Sequence, residues 1–72
     1  MNYVEWADEY LENARRIQRV IEKKKALLND SDLSSDKRKC ISDTIVAYRR
    51  IYRELVTTAR ILRSRAGESY EA

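Results

Sequence analysis

Asn29-Asp30-Ser31-Asp32-Leu33-Ser34-Ser35 is the stretch on which the fold turns. It is polar, and it parts two long apolar stripes in a chain that has no proline and whose single glycine, Gly67, lies beyond both stripes. Asn, Asp and Ser bond their own backbone in turns and compete poorly as helix formers. A polar break of this kind between two helical patterns reads as the bend of an α-helical hairpin.

Before the break, apolar residues recur at spacings of three and four up to Ile21 and resume a turn later: Tyr3, Val4, Ala7, Tyr10, Leu11, Ala14, Ile17, Val20, Ile21, Leu27 and Leu28. That spacing predicts a first helix over about 3–28. Positions 7, 14, 21 and 28 form a seven-residue repeat, which favours left-handed supercoiling. After the break the stripe is Ile41, Ile45, Tyr48, Tyr52, Leu55, Ala59, Leu62 and Ala66, with strict alternation of four and three. A second helix is expected over about 35–66, opened by Ser34 or Ser35 as cap and favoured by Asp36 in the first turn. Gly67 falls where a C′ glycine would end it, leaving a tail over 67–72. The loop spans about 29–34, and so short a loop makes the helices antiparallel neighbours. Folding about residue 31 or 32 sets Tyr10 near Tyr52, Ala14 near Tyr48 and Ile21 near Ile41. It also sets acidic Glu5, Asp8, Glu9 and Glu12 beside Arg60, Arg63 and Arg65.

The expected fold is therefore all-α, a single coiled-coil-like helical-hairpin domain over 1–72. Its core stripe is Tyr10, Ile17, Ile21, Ile41, Ile45, Tyr48, Tyr52, Leu55 and Leu62. Two helices of about 40 Å each cannot bury both apolar faces alone. Val20, Leu27, Ile51 and Val56 widen the stripes, and Val46 and Ile61 point further away. Contiguous exposed apolar surface marks interfaces, so the economical expectation is a homodimer forming a four-helix bundle.

Composition narrows the chemistry. The 72 residues contain no histidine and one cysteine, Cys40. Within one chain this excludes a disulfide framework, a Cys/His zinc site and any histidine-based acid–base mechanism. The i,i+4 carboxylates Glu5/Glu9 and Asp8/Glu12 flank the stripe on its outer side and lack the Glu-x-x-His partner of a helical di-metal site. No catalytic residue, cofactor or metal ligand is expected. Cys40, beside Lys39 at the start of the second helix, could have its pKa lowered there; a small residue at the edge of the core is the favoured reading. No apolar run reaches the ~20 residues of a membrane span. The first residues lack the pattern of a secretory signal, and with a lone thiol the expected location is cytoplasmic.

Net charge is +3 and pI about 9.2. The positive charge gathers beside the bend, where Lys23, Lys24 and Lys25 precede it and Lys37, Arg38 and Lys39 follow it. These six are the candidate polyanion-binding residues, with nucleic acid as the corresponding partner. Glu22, Asp30, Asp32, Asp36, Asp43 and Glu54 sit among the basic residues and cut their field. Tyr3, Tyr10, Tyr48 and Tyr52 are stripe positions and read as core. Trp6, one step off the stripe, reads as a half-exposed contact residue.

The hairpin outline is similar to the Rop type of RNA-binding dimer. A second likeness runs from Glu9-Tyr10-Leu11 through Arg16-Ile17 to Ile21, then Ser42-Asp43-Thr44-Ile45-Val46 and Leu55. These residues resemble the N-terminal hairpin of small proteins from Firmicute phages and integrated elements, in which a sigma-factor-like helix-turn-helix usually follows. The present residues carry the hairpin part alone. That resemblance implies an accessory or regulatory protein of a mobile element. The functional expectation is a non-enzymatic module that self-associates and engages a protein partner, identity unknown. The alternative is Rop-like nucleic-acid binding through the basic loop-proximal end.

Overall fold

The computed structural model describes the backbone of residues 2–71 and the side chains of residues 2–67. It is an antiparallel hairpin of α1 (Tyr3–Leu27) and α2 (Ser35–Glu71), a rod with Cα extents of 59 × 15 × 14 Å. No helix among the described residues is long and apolar enough to cross a membrane.

Both helix starts are fixed by side chains. Asn2 caps α1: its Oδ1 accepts the Glu5 backbone N–H at 2.8 Å, and Glu5 Oε2 accepts the Asn2 N–H at 3.4 Å. Two donors with no partner inside the helix are thus satisfied reciprocally. Ser34 caps α2, its Oγ accepting the Lys37 N–H at 3.2 Å and its carbonyl the Arg38 N–H at 2.9 Å.

The end of α1 is held differently. Its last amides tighten into i→i+3 bonds, Asn29 N to Ala26 O at 3.2 Å and Asp30 N to Leu27 O at 3.3 Å. The Asp30 side chain then accepts the Asp32 N–H at 2.9 Å, an Asx turn. Arg38 reaches back from α2 and donates to the Leu28 carbonyl at 2.8 Å and the Asp30 carbonyl at 2.6 Å. One guanidinium fork thereby satisfies carbonyls that the helix end leaves open.

That clamp corrects the expected register. Arg38, the residue that closes the first turn of α2, reaches Leu28, so that first turn overhangs the end of α1. Ala7 packs with Ala59 and Leu62, and Ala14 shares a groove with Tyr52 and Val56. The pairing is therefore about one helical turn away from Tyr10–Tyr52, Ala14–Tyr48 and Ile21–Ile41. A loop counted by length alone misses the overhang.

The second correction concerns Gly67. α2 runs through it to Glu71, with no glycine at positive φ among the described residues. Glycine permits a left-handed stop without requiring one, and no proline follows to forbid the next turn. Of the tail expected over 67–72, Ala72 lies outside the described residues.

The core is thin. Among the described residues the buried ones are Ala7, Ala14, Ile21, Ile45, Ala59 and Leu62, three of them alanines. Tyr3, Tyr10 and Leu11 pack half-buried around the Ala7–Ala59–Leu62 cluster. Asp8 and Arg63 close the open end with an ion pair at 3.2 Å.

Candidate interaction surface

Of the nine predicted stripe residues, Ile21, Ile45 and Leu62 are buried, while Tyr10, Ile17, Ile41, Tyr48, Tyr52 and Leu55 remain half-exposed. The reason is geometric. Two helices in contact cover one line of each, and the apolar stripes are wider than a line.

The uncovered surplus lies on one flank. On α1, Trp6, Tyr10, Asn13, Ile17, Val20, Lys24 and Leu27 follow one another at steps of four and three, so they line one side of the helix. On α2, Thr44, Tyr48, Ile51, Leu55, Thr58 and Leu62 do the same. In an antiparallel pair these two lines fall on the same side of the hairpin. Together they make a broad, mainly apolar face in whose two lines Lys24 is the one charged residue. Trp6 is 47% exposed, Leu27 53% and Ile51 40%. A shallow depression bordered by Asp43, Thr44, Ala47, Tyr48 and Ile51 lies at its edge.

The two threonines are apolar in effect. Thr44 Oγ1 donates to the Cys40 carbonyl and Thr58 Oγ1 to the Glu54 carbonyl, each at 2.8 Å. With the hydroxyls turned back on their own helix, the methyl groups remain for the outside. Sequence reading passed over both residues because threonine counts as polar. The available signal was their place at the steps that also carry Tyr48, Ile51 and Leu55.

The opposite flank is of another kind. Asp8, Leu11, Arg15, Gln18 and Glu22 line it on α1, and Arg49, Val56 and Arg63 on α2. Its groove, about 390 Å³ in volume, is edged by Arg15 and Arg19. Glu12 draws in Arg15, Arg16 and Arg19 at 3.2, 3.9 and 3.8 Å, and Gln18 donates to Glu22 at 2.9 Å.

At the loop end the six candidate polyanion-binding residues divide. Arg38 is engaged with carbonyls of the bend, a role that composition did not reveal. Lys25 lies 3.7 Å from Glu22. Among the described residues no ion pair includes Lys23, Lys24, Lys37 or Lys39, and all of these but half-buried Lys24 are exposed. Cys40 is exposed rather than set at the core edge, because it stands one step before the stripe residue Ile41, on the outer side of α2.

The surface area states the imbalance in one number. The chain exposes 5735 Å², whereas a compact protein of its 8.5 kDa mass exposes about 4,700 Å² by the usual size scaling. The excess, roughly 1,000 Å², is comparable to the ~800 Å² that one partner contributes to a standard interface. Comparison with protein-family models, with curated proteins and with solved structures finds no match to this chain.

Proposed function

We propose that this protein is a non-enzymatic helical module that works by association, with a second copy of itself as its first partner and a further protein engaged by the assembled bundle. The observation that carries this reading is the apolar flank: a continuous, nearly uncharged face beside a core of six buried residues. Apolar patches of this extent on small chains are contact surfaces, and oligomerisation is a common route by which so small a chain gains stability. On the resemblance of residues 9–21 and 42–55 to phage and integrated-element hairpins, we propose an accessory or regulatory role in such an element, within the cytoplasm.

Association coupled to folding makes thermal stability depend on concentration. The helical circular-dichroism signal should therefore melt at a higher temperature as protein concentration rises. A midpoint independent of concentration over two orders of magnitude would contradict the reading.

The exposed Lys23, Lys37 and Lys39 favour a second reading, Rop-like binding of nucleic acid at the loop end. Phosphate contacts release counterions, so such binding must weaken steeply with salt. Titration with duplex DNA and structured RNA at low and moderate salt tests it. Replacing Lys23, Lys24, Lys25, Lys37 and Lys39 with glutamine should abolish that binding while leaving helicity in place. Arg38 is kept, because it holds the bend.

A further inference from the structure

We infer that the apolar flank is covered by a second copy of the chain in an antiparallel arrangement, the loop of one copy lying at the open end of the other, α1 against α1 and α2 against α2. This rests on the self-association reading and adds the face and the orientation.

The face follows from the two lines through Ile17 and Ile51, in which Lys24 is the one charged residue. The occupant follows from shape and area. The face is a two-helix surface of the same length as the hairpin itself. The area excess, which the rod shape leaves uncovered, is of the size that one half of a two-fold interface contributes, and a two-fold contact requires a patch that is complementary to itself.

Orientation follows from charge. Along the outer edge of this face α1 carries Glu9, Arg16 and Lys23, each two turns from the next. The edge therefore runs from acidic at the open end to basic at the bend. A two-fold axis across the helices near residue 16 sets Glu9 of each copy beside Lys23 of the other. Arg16 falls beside that axis and is already drawn towards Glu12 at 3.9 Å on the solvent side. A two-fold axis along the helices would instead stack the two loop ends, bringing Lys23, Lys24, Lys37 and Lys39 of one copy against the same residues of the other. That arrangement sets like charges together, only partly offset by Glu22, Asp30, Asp32, Asp36 and Asp43 of the same end, and it leaves Lys23 without the Glu9 of the other copy, which would lie at the far end of the rod.

Cys40, exposed and the single thiol, reports the orientation without any mutation. It sits about ten residues from the level of the proposed axis. Two nitroxide labels on Cys40 should lie roughly 30 Å apart in the antiparallel dimer, at ~1.5 Å of helix per residue. In the arrangement with both loops together they would be under about 20 Å apart, one helix layer from each other. Pulsed dipolar spectroscopy on the labelled full chain separates these. A distance near 30 Å that is lost in the Ile51→Glu variant and kept in Arg15→Gln, a change of equal charge on the other flank, is the expected result. A short distance overturns the orientation while leaving self-association standing. A distance that survives Ile51→Glu and is lost in Arg15→Gln overturns the face. No dipolar signal at any concentration overturns both this inference and the association on which it rests.

Discussion

The two flanks of this hairpin are built on the same helices, with the same alternation of four- and three-residue steps, and they differ in what those steps carry. One flank sets Asp8, Arg15, Gln18 and Glu22 opposite Arg49 and Arg63, with Asp8 paired to Arg63 and Gln18 to Glu22. The other sets Trp6, Ile17, Val20 and Leu27 opposite Thr44, Ile51, Leu55 and Thr58, with both threonine hydroxyls turned inward. Water is a good partner for the first and a poor one for the second. The contrast shows that a hairpin seam can be complete as a contact between two helices and still leave half of its apolar stripe without a neighbour.

The sharpest way to break the comparison is to place the same residue on each flank of α2. Leu55→Asp puts a carboxylate where the seam and the apolar flank meet. It should abolish most of the helical circular-dichroism signal at micromolar concentration, because an unpaired charge in an apolar contact costs several kcal/mol. Arg49→Asp, on the charged flank, should stay within about 1 kcal/mol of the parent in urea denaturation. Equal losses from the two would erase the distinction between the flanks.

Arg38→Ala asks what the bend contributes. It removes two charge-assisted hydrogen bonds to backbone carbonyls and should lower stability by about 1–2 kcal/mol, with faster amide exchange in residues 26–33. A change confined to nucleic-acid affinity would return Arg38 to the basic patch. Asn2→Ala, which dismantles the capping box of α1, should cost about 1 kcal/mol and leave association through the flank intact once the helix is formed. Gly67→Ala is the mildest change. A Cβ there meets nothing within 4 Å and the residue is helical, so a gain of up to about 0.5–1 kcal/mol in melting experiments is predicted. Loss of stability on that change would restore Gly67 to the role of a helix stop.

The hairpin was legible from residues 29–35 and the two periodic stripes, because burial period and turn chemistry are local properties of a sequence. The Asp8–Arg63 approach and the exposure of Trp6 were legible for the same reason. The register was not. It depends on Arg38 reaching carbonyls ten and eight residues earlier, a three-dimensional closure that no count of loop residues contains. The capping box of Asn2 and Glu5 could have been read from their spacing. The apolar flank was half legible. Val20, Leu27 and Ile51 stood out as surplus, but Thr44 and Thr58 join them only once their hydroxyls are seen bonded to Cys40 and Glu54. Gly67 misled because a permissive residue was taken for a terminating one. Cys40 misled because, one step before Ile41, it was taken for the edge of the stripe and lies outside it.

Sedimentation equilibrium of the unmodified chain at micromolar concentration tests the central claim most directly. Twice the 8.5 kDa chain mass, shifting towards the single-chain mass on dilution, is the predicted result. A single species of one chain mass, fully helical across the whole concentration range, would show that the apolar flank needs no second copy and would contradict the account.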